Sequence, residues 1–219
     1  MEIHAPERHI SSWRDVAIHL AVVTAGILIA LGLEQAVEAY HHRELVAEVN
    51  ELIADEIRDN QKVLEQQAAK LWDYRNAAVS VLDFVTALLQ KVPGPKGVEV
   101  EWNKVTLHDT SWTTAQRTGA LSYMTYREVN RYAAVYRLQA DFIAAQDSAE
   151  SAAVDAFSVF IRKSKGRPAE FQKLSPTELE AERSRVMHLI SELDLMIELK
   201  VEPLRNGYAE ALKARGQAE

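Results

Sequence analysis

The sequence predicts an all-α protein: an N-terminal transmembrane helix over residues 13–35, continuing into an antiparallel bundle of three long helices and one short one over 36–215. Three observations predict it. From Val16 to Leu33 the chain runs VAIHLAVVTAGILIALGL, about 18 residues interrupted only by His19 and Thr24, which as a helix span roughly 27 Å, near the hydrocarbon thickness of a bilayer. Beyond it, apolar residues recur by threes and fours, and no strand-like alternation is sustained. Beyond the apolar run, Gly and Pro gather between the periodic stretches or at their ends, with Pro203 and Gly207 the exceptions.

Composition narrows the class. The chain has 219 residues, 25 Lys and Arg against 32 Asp and Glu, a net charge of −7 and no Cys. Its mean hydropathy is negative despite the apolar run, which fits one anchor carrying one soluble domain and argues against a multi-spanning transporter. The acidic balance without a basic block argues against a nucleic-acid partner. The lack of Cys excludes disulfides, Fe–S clusters, thiolate catalysis and zinc fingers.

Residues 1–12 form a tail in which Arg8 mixes with Glu2 and Glu7, unlike the cationic start of a cleaved signal. Glu34-Gln35-Ala36-Val37-Glu38 follows the run without a small-x-small cleavage site, so an uncleaved anchor is expected. Ser11 or Ser12 caps the helix, Asp15 sits in its first turn, and Trp13 suits the headgroup zone. Arg8, Arg14 and the α-amino group outweigh Arg43 by about one charge, which places the tail in the cytoplasm and the domain outside it. The expected location is a bacterial inner membrane, single-pass, with a periplasmic C-terminal domain.

From Ser12 to Lys91 there is no Pro, and no Gly after Gly32, so the anchor helix is expected to leave the membrane unbroken. Its stripe is Val46, Val49, Ile53, Ile57, Leu64, Ala68, Leu71, Ala78, Leu82, Val85 and Leu89. Asn60 falls in that stripe and is taken as an amide tolerated near the rim; the alternative is a polar residue that sets the register of the packing. Val92-Pro93-Gly94-Pro95-Lys96-Gly97 stops the helix, and Val98–Trp102 is expected to be loop. Asp109 caps a short helix, 110–118, that Gly119 ends in the left-handed conformation.

Thr125 and Glu128 form a capping box for the next helix, with an inward stripe of Val129, Tyr132, Tyr136, Gln139, Ile143, Ala153, Phe157 and Phe160. The Ala-rich turns from 144 to 156 imply close approach of a neighbouring helix. After a loop from Lys163 to Leu174, Ser175-Pro176-Thr177-Glu178 opens the last helix. That helix carries Leu179, Val186, Leu189, Ile190, Leu193, Met196, Ile197, Val201, Leu204, Tyr208 and Leu212, and Pro203 is expected to kink or split it near Val201. Residues 216–219 are a polar tail.

Candidate functional residues lie in three places. Gly26 and Ala30 form a small-x-x-x-small pattern that permits close helix pairing in lipid. Glu34, Glu38, His41 and His42 form a membrane-proximal collar. Glu38-x-x-His41 copies half of a di-iron motif, but His108 and His188 lack a Glu at that spacing, so an interfacial collar is the better reading and no metal or cofactor is expected. Trp112, Thr113 and Arg117 join an aromatic wall, a hydroxyl and a guanidinium on the short helix, as a ligand or partner surface would; the alternative is a lid with Trp112 packed down. His19 sits about one turn into the run, where it reaches the interface.

The run Gly26-Ile27-Leu28-Ile29-Ala30-Leu31 and the helix rich in Glu and Arg after it resemble a group of uncharacterised bacterial single-pass membrane proteins. Ser111-Trp112 with Gly119-Ala120-Leu121 is similar to a segment in the same group. The resemblance implies an N-terminal membrane helix, a helical domain of unknown function and a bacterial envelope location, and nothing catalytic. The expected function is therefore a non-enzymatic accessory or scaffolding subunit of an envelope complex. Its expected partners are the bilayer and a second copy or another membrane subunit. The alternative is a ligand-sensing bundle that signals through a partner.

Overall fold

A computed structural model describes residues 12–93, 103–164 and 172–215. The chain divides into two compact units, residues 1–48 and 49–219. Helix α1 (Trp13–Gln90) contributes to both and is unbroken through Gly26 and Gly32, as the absence of Pro predicts.

In the first unit, every side chain from Trp13 to His41 is exposed. Ser12 opens the helix: its Oγ accepts from Arg14 N–H at 3.3 Å and its carbonyl from Asp15 N–H at 3.0 Å. This is the one helix among the described residues that is long and apolar enough to cross a membrane, and none of its apolar window is buried.

In the second unit, the predicted stripe faces inward through Val49, Ile53, Ile57, Leu64, Leu71, Ala78 and Val85. Leu82, Ala68 and Leu89 are only half-buried, as is Val46 in the first unit. The helix ends before Pro93: Lys91 takes a left-handed φ of 56°, Lys91 N–H bonds Leu88 O at 3.3 Å, and Val92 N–H bonds Ala87 O at 3.0 Å. That pair of bonds is a Schellman stop formed without glycine. Residues 94–102, which include the expected loop Val98–Trp102, lie outside the described residues, as do the tails 1–11 and 216–219.

Residues 103–109 are neither helix nor strand and lead into α2 (Thr110–Thr118), which Gly119 terminates at φ 76°. Asp109 precedes it, but its side chain caps nothing. A 3₁₀ turn (Ala120–Tyr123) buries Ala120 and leads to α3 (Tyr126–Ser164). The capping box is present: Thr125 N–H donates to Glu128 Oε2 at 2.8 Å, and Glu128 N–H to Thr125 Oγ1 at 3.3 Å. A second box opens α4 (Pro176–Met196), where Ser175 N–H meets Glu178 Oε2 at 2.9 Å with Pro176 at the first turn. A π-helical turn (Ile197–Val201) then separates α4 from α5 (Glu202–Arg215). Pro203 has no N–H for the preceding turn and its ring crowds the carbonyl four residues back, so the widened turn sits where the split was expected.

All-α architecture is what the structure shows, but the antiparallel arrangement holds only in part. Along α1 and α3 the paired residues rise together: Asn50 with Tyr132, Glu56 with Tyr136, Asn60 with Gln139. These two helices are therefore parallel. By contrast Arg75 meets Asp194 and Glu65 meets Arg205, so α4 and α5 run against α1. Tyr208 meets Gln139, and Gly207 lies under Leu138. The physical reason is the return path: residues 103–109 run back along α1, so α3 starts at the end of the unit where α1 enters it.

The Ala-rich face of α3 buries Ala145, Ala149, Ala152, Ala153 and Ala156, and α3 packs most extensively along α4. Small side chains allow that approach. The core is completed by Phe142, Val186, Leu189, Leu193, Met196, Leu204 and Tyr208, and at the other end by Val85 and Leu179 with Phe84, Leu88 and Leu174 around them.

Candidate functional site

The residues singled out in the sequence fall in separate places. Gly26 and Ala30 are exposed on α1, and a Cβ added at Gly26 would meet nothing within 4 Å. Glu34, Glu38 and His41 are exposed and His42 is half-buried. His42 Nε2 lies 3.8 Å from Glu38 Oε1, and the His41 ring stands edge-on to Tyr40 at 6.0 Å. Among the described residues no three His, Asp or Glu side chains gather as a metal site would require.

Trp112 is packed down, 8% exposed, with its ring stacked on Tyr136 at 5.4 Å and 9° between planes. Thr113 is half-buried, and Arg117 is exposed in the last turn of α2. An open aromatic wall is thus not available at Trp112; the indole locks α2 to α3. Glu56 of α1 completes that joint. Its Oε2 accepts from Ser111 N–H at 2.8 Å, supplying the cap that Asp109 does not, and its Oε1 accepts from Tyr136 Oη at 2.6 Å. Burial first, and then the Glu56 carboxylate, push the Tyr136 phenol well above its ordinary pKa, so it remains a hydrogen-bond donor.

The most ordered polar constellation lies below this joint and is only partly visible in the stripes. Asn60 and Gln67 on α1, and Gln139 and Gln146 on α3, are each 2% exposed or less. All four address the backbone of the extended segment 103–108. Asn60 Nδ2 donates to His108 O at 2.6 Å while His108 N–H donates to Asn60 Oδ1 at 2.8 Å. Gln146 repeats the pairing at Val105: Val105 N–H to Oε1 at 3.2 Å, and Nε2 to Val105 O at 3.0 Å. Gln67 Nε2 donates to Asn103 O at 3.1 Å, and Asn103 N–H donates to Tyr74 Oη at 3.1 Å. Gln139 Nε2 adds a second bond to His108 O at 2.9 Å, and its Oε1 accepts from Asn60 Nδ2 at 3.1 Å and Tyr208 Oη at 2.7 Å. Burial raises the Tyr208 phenol above its ordinary pKa, which keeps that donor protonated.

Gln139 and Gln146 are seven residues apart in α3, a rise of about 10 Å. Gln139 meets His108 and Gln146 meets Val105, so residues 105–108 run opposite to α3 as well as to α1. An amide side chain carries one donor and one acceptor side by side, so Asn60 and Gln146 each satisfy both the N–H and the C=O of a single residue.

Asn60 is thus not a rim amide: it is fully buried and holds the strap. Gln67 and Gln146 carried no weight in the periodic reading, although amides at 60 and 67, and again at 139 and 146, share a seven-residue interval. That doubled interval on two helices was the available signal. Comparison with known proteins finds no family model, curated protein or solved structure that matches this chain.

Proposed function

We propose that this chain is a non-enzymatic, single-pass protein of a bacterial inner membrane, with a periplasmic helical domain that serves as an accessory or scaffolding subunit of an envelope complex. The observation that carries it is the exposure of the whole run from Val16 to Leu33. Such a length of apolar helix facing water would be strongly unfavourable, whereas hydrocarbon accepts it with a favourable insertion free energy. The charge bias of Arg14 over Arg43, with Arg8 in the tail, supports the outward domain. The resemblance to bacterial single-pass proteins supports the same envelope location.

The second support is the layout of α1 within the first unit. Gly26 and Ala30 give lipid-embedded small residues with open space beside Gly26, and Glu34, Glu38, His41 and His42 extend the same helix in polar form. A second copy or another membrane subunit docks first in the bilayer and then along this collar. Crosslinking and co-purification in mild detergent test it. Gly26→Leu is expected to reduce the captured membrane partner several-fold while leaving insertion intact, because Leu is at least as apolar. Undiminished capture moves the interface elsewhere, and a small molecule co-purifying in place of a protein would favour the ligand-sensing reading.

A further inference from the structure

We infer that the cleft between α1 and α3 is a binding site for extended polypeptide, which the chain's own residues 103–108 occupy in cis and which an extended segment of a partner protein can occupy in their place. The inference concerns residues 49–215 and stands whether or not the anchor reading holds.

Five groups, Asn60, Gln67, Tyr74, Gln139 and Gln146, direct hydrogen bonds at the main chain of Asn103, Val105 and His108. Main-chain groups are common to every sequence, so this recognition asks for an extended conformation and little else. The strap's own side chains contribute sparingly. Leu107 is buried and Val105 half-buried, whereas Asn103, Lys104, Thr106 and His108 are exposed. Lys104 adds an exposed pairing with Asp147 at 2.5 Å and Glu150 at 3.2 Å. The partner chemistry follows: an unpaired extended stretch with one large aliphatic residue, flanked on one side by a cation.

The cleft itself is prepared for such a ligand. A buried amide left without a partner is costly, and here four, two on each helix, are turned toward the backbone of one segment. Removing the strap would take from Gln67 and Gln146 the backbone partners they have here and leave Asn60 and Gln139 only each other and Tyr208, so the empty site favours a replacement of the same backbone form. The tether gives the cis segment a high effective concentration, which makes it the resting occupant and makes exchange dependent on loosening it.

The test uses the full chain in detergent and a fluorescent peptide of the sequence Asn103–Asp109. Leu107→Ala in the protein weakens the cis strap. Anisotropy is expected to show peptide binding at least about tenfold tighter to folded Leu107→Ala than to the wild type. N-methylation of the peptide at the Val105 or His108 nitrogen is expected to weaken binding at least about tenfold, and alanine at Thr106 less than about threefold. A folded, helical Leu107→Ala chain that binds no peptide, or binds N-methylated peptide equally well, overturns the proposal. Should that variant fail to fold, hydrogen exchange on the wild type decides. The Val105 and His108 amides are expected to exchange at least about tenfold faster than the α3 core amides around Phe142. Equal protection would mean that the strap leaves only on global unfolding, and would overturn exchange with a partner.

Discussion

At the scale of single residues, the second unit depends on polar groups whose partners are backbone. Asn60 satisfies both the N–H and the C=O of His108, so Asn60→Ala leaves the His108 N–H and one acceptor site of the buried Gln139 unmet, while His108 O keeps Gln139 Nε2. We expect a loss of about 2–3 kcal/mol, read as a lowered urea midpoint. Glu182 is the opposite kind of residue, a carboxyl 1% exposed within the apolar stripe of α4, with Arg185 at 3.0 Å. Burial raises its pKa, and Arg185 offsets this only in part. A carboxyl raised on folding contributes stability below its ordinary pKa and loses it as the pH rises through the folded value. Glu182→Gln is therefore expected to melt higher than wild type near pH 8, with the advantage shrinking toward about pH 4. A difference in Tm that does not change with pH would contradict this. Glu65 shows the limit of reading exposure alone: although exposed, it forms a two-pronged pair with Arg205 at 2.6 and 3.0 Å, which lowers its pKa. Its exposure keeps that pair worth under about 1 kcal/mol.

At the scale of elements, start and stop chemistry was legible wherever it was local. Both capping boxes form as their Ser/Thr-x-x-Glu spacing requires, Gly119 takes the left-handed stop, and Pro203 coincides with a break in helical winding. Where a cap came from elsewhere in the chain, the local reading failed: Asp109 was the obvious cap for α2, but Glu56 from α1 supplies the bond. The stop of α1 is similar. Pro93 and its neighbours mark the region, yet the helix ends on Lys91 at φ 56°, a conformation that costs a side-chain-bearing residue about 1 kcal/mol. Lys91→Gly is expected to raise stability by about 0.5–1 kcal/mol in denaturant unfolding. A loss instead would show that the lysine side chain makes a compensating interaction.

At the scale of the whole molecule, two further outcomes bear on where the protein resides. The chain is expected to stay in the membrane pellet through carbonate extraction, and Leu28→Arg, at the centre of the run, should disfavour insertion by about 3 kcal/mol. Release of the wild type into the soluble fraction, with a new N-terminus after Leu33, would show a cleaved signal. A reporter fused after Glu219 is expected to be active in the periplasm; activity confined to the cytoplasm would reverse the topology and move the partners with it.

The helices themselves were determined by sequence, because their causes are local. Apolar period, caps and breakers act within one or two turns, and α1, α2, α3 and the split last helix lie where those signals put them. The run from Val16 to Leu33 is likewise decided by its own composition. Only the tertiary structure decided that α1 and α3 lie parallel. The direction of a return path depends on what holds it, and what holds residues 103–109 is distant: Asn60 and Gln67 on one helix, Gln139 and Gln146 on another. An amide in a stripe has the same period whether it meets solvent at a rim or a backbone in the core. Periodicity records which way a side chain faces; the partner that satisfies it is set by chain brought from elsewhere.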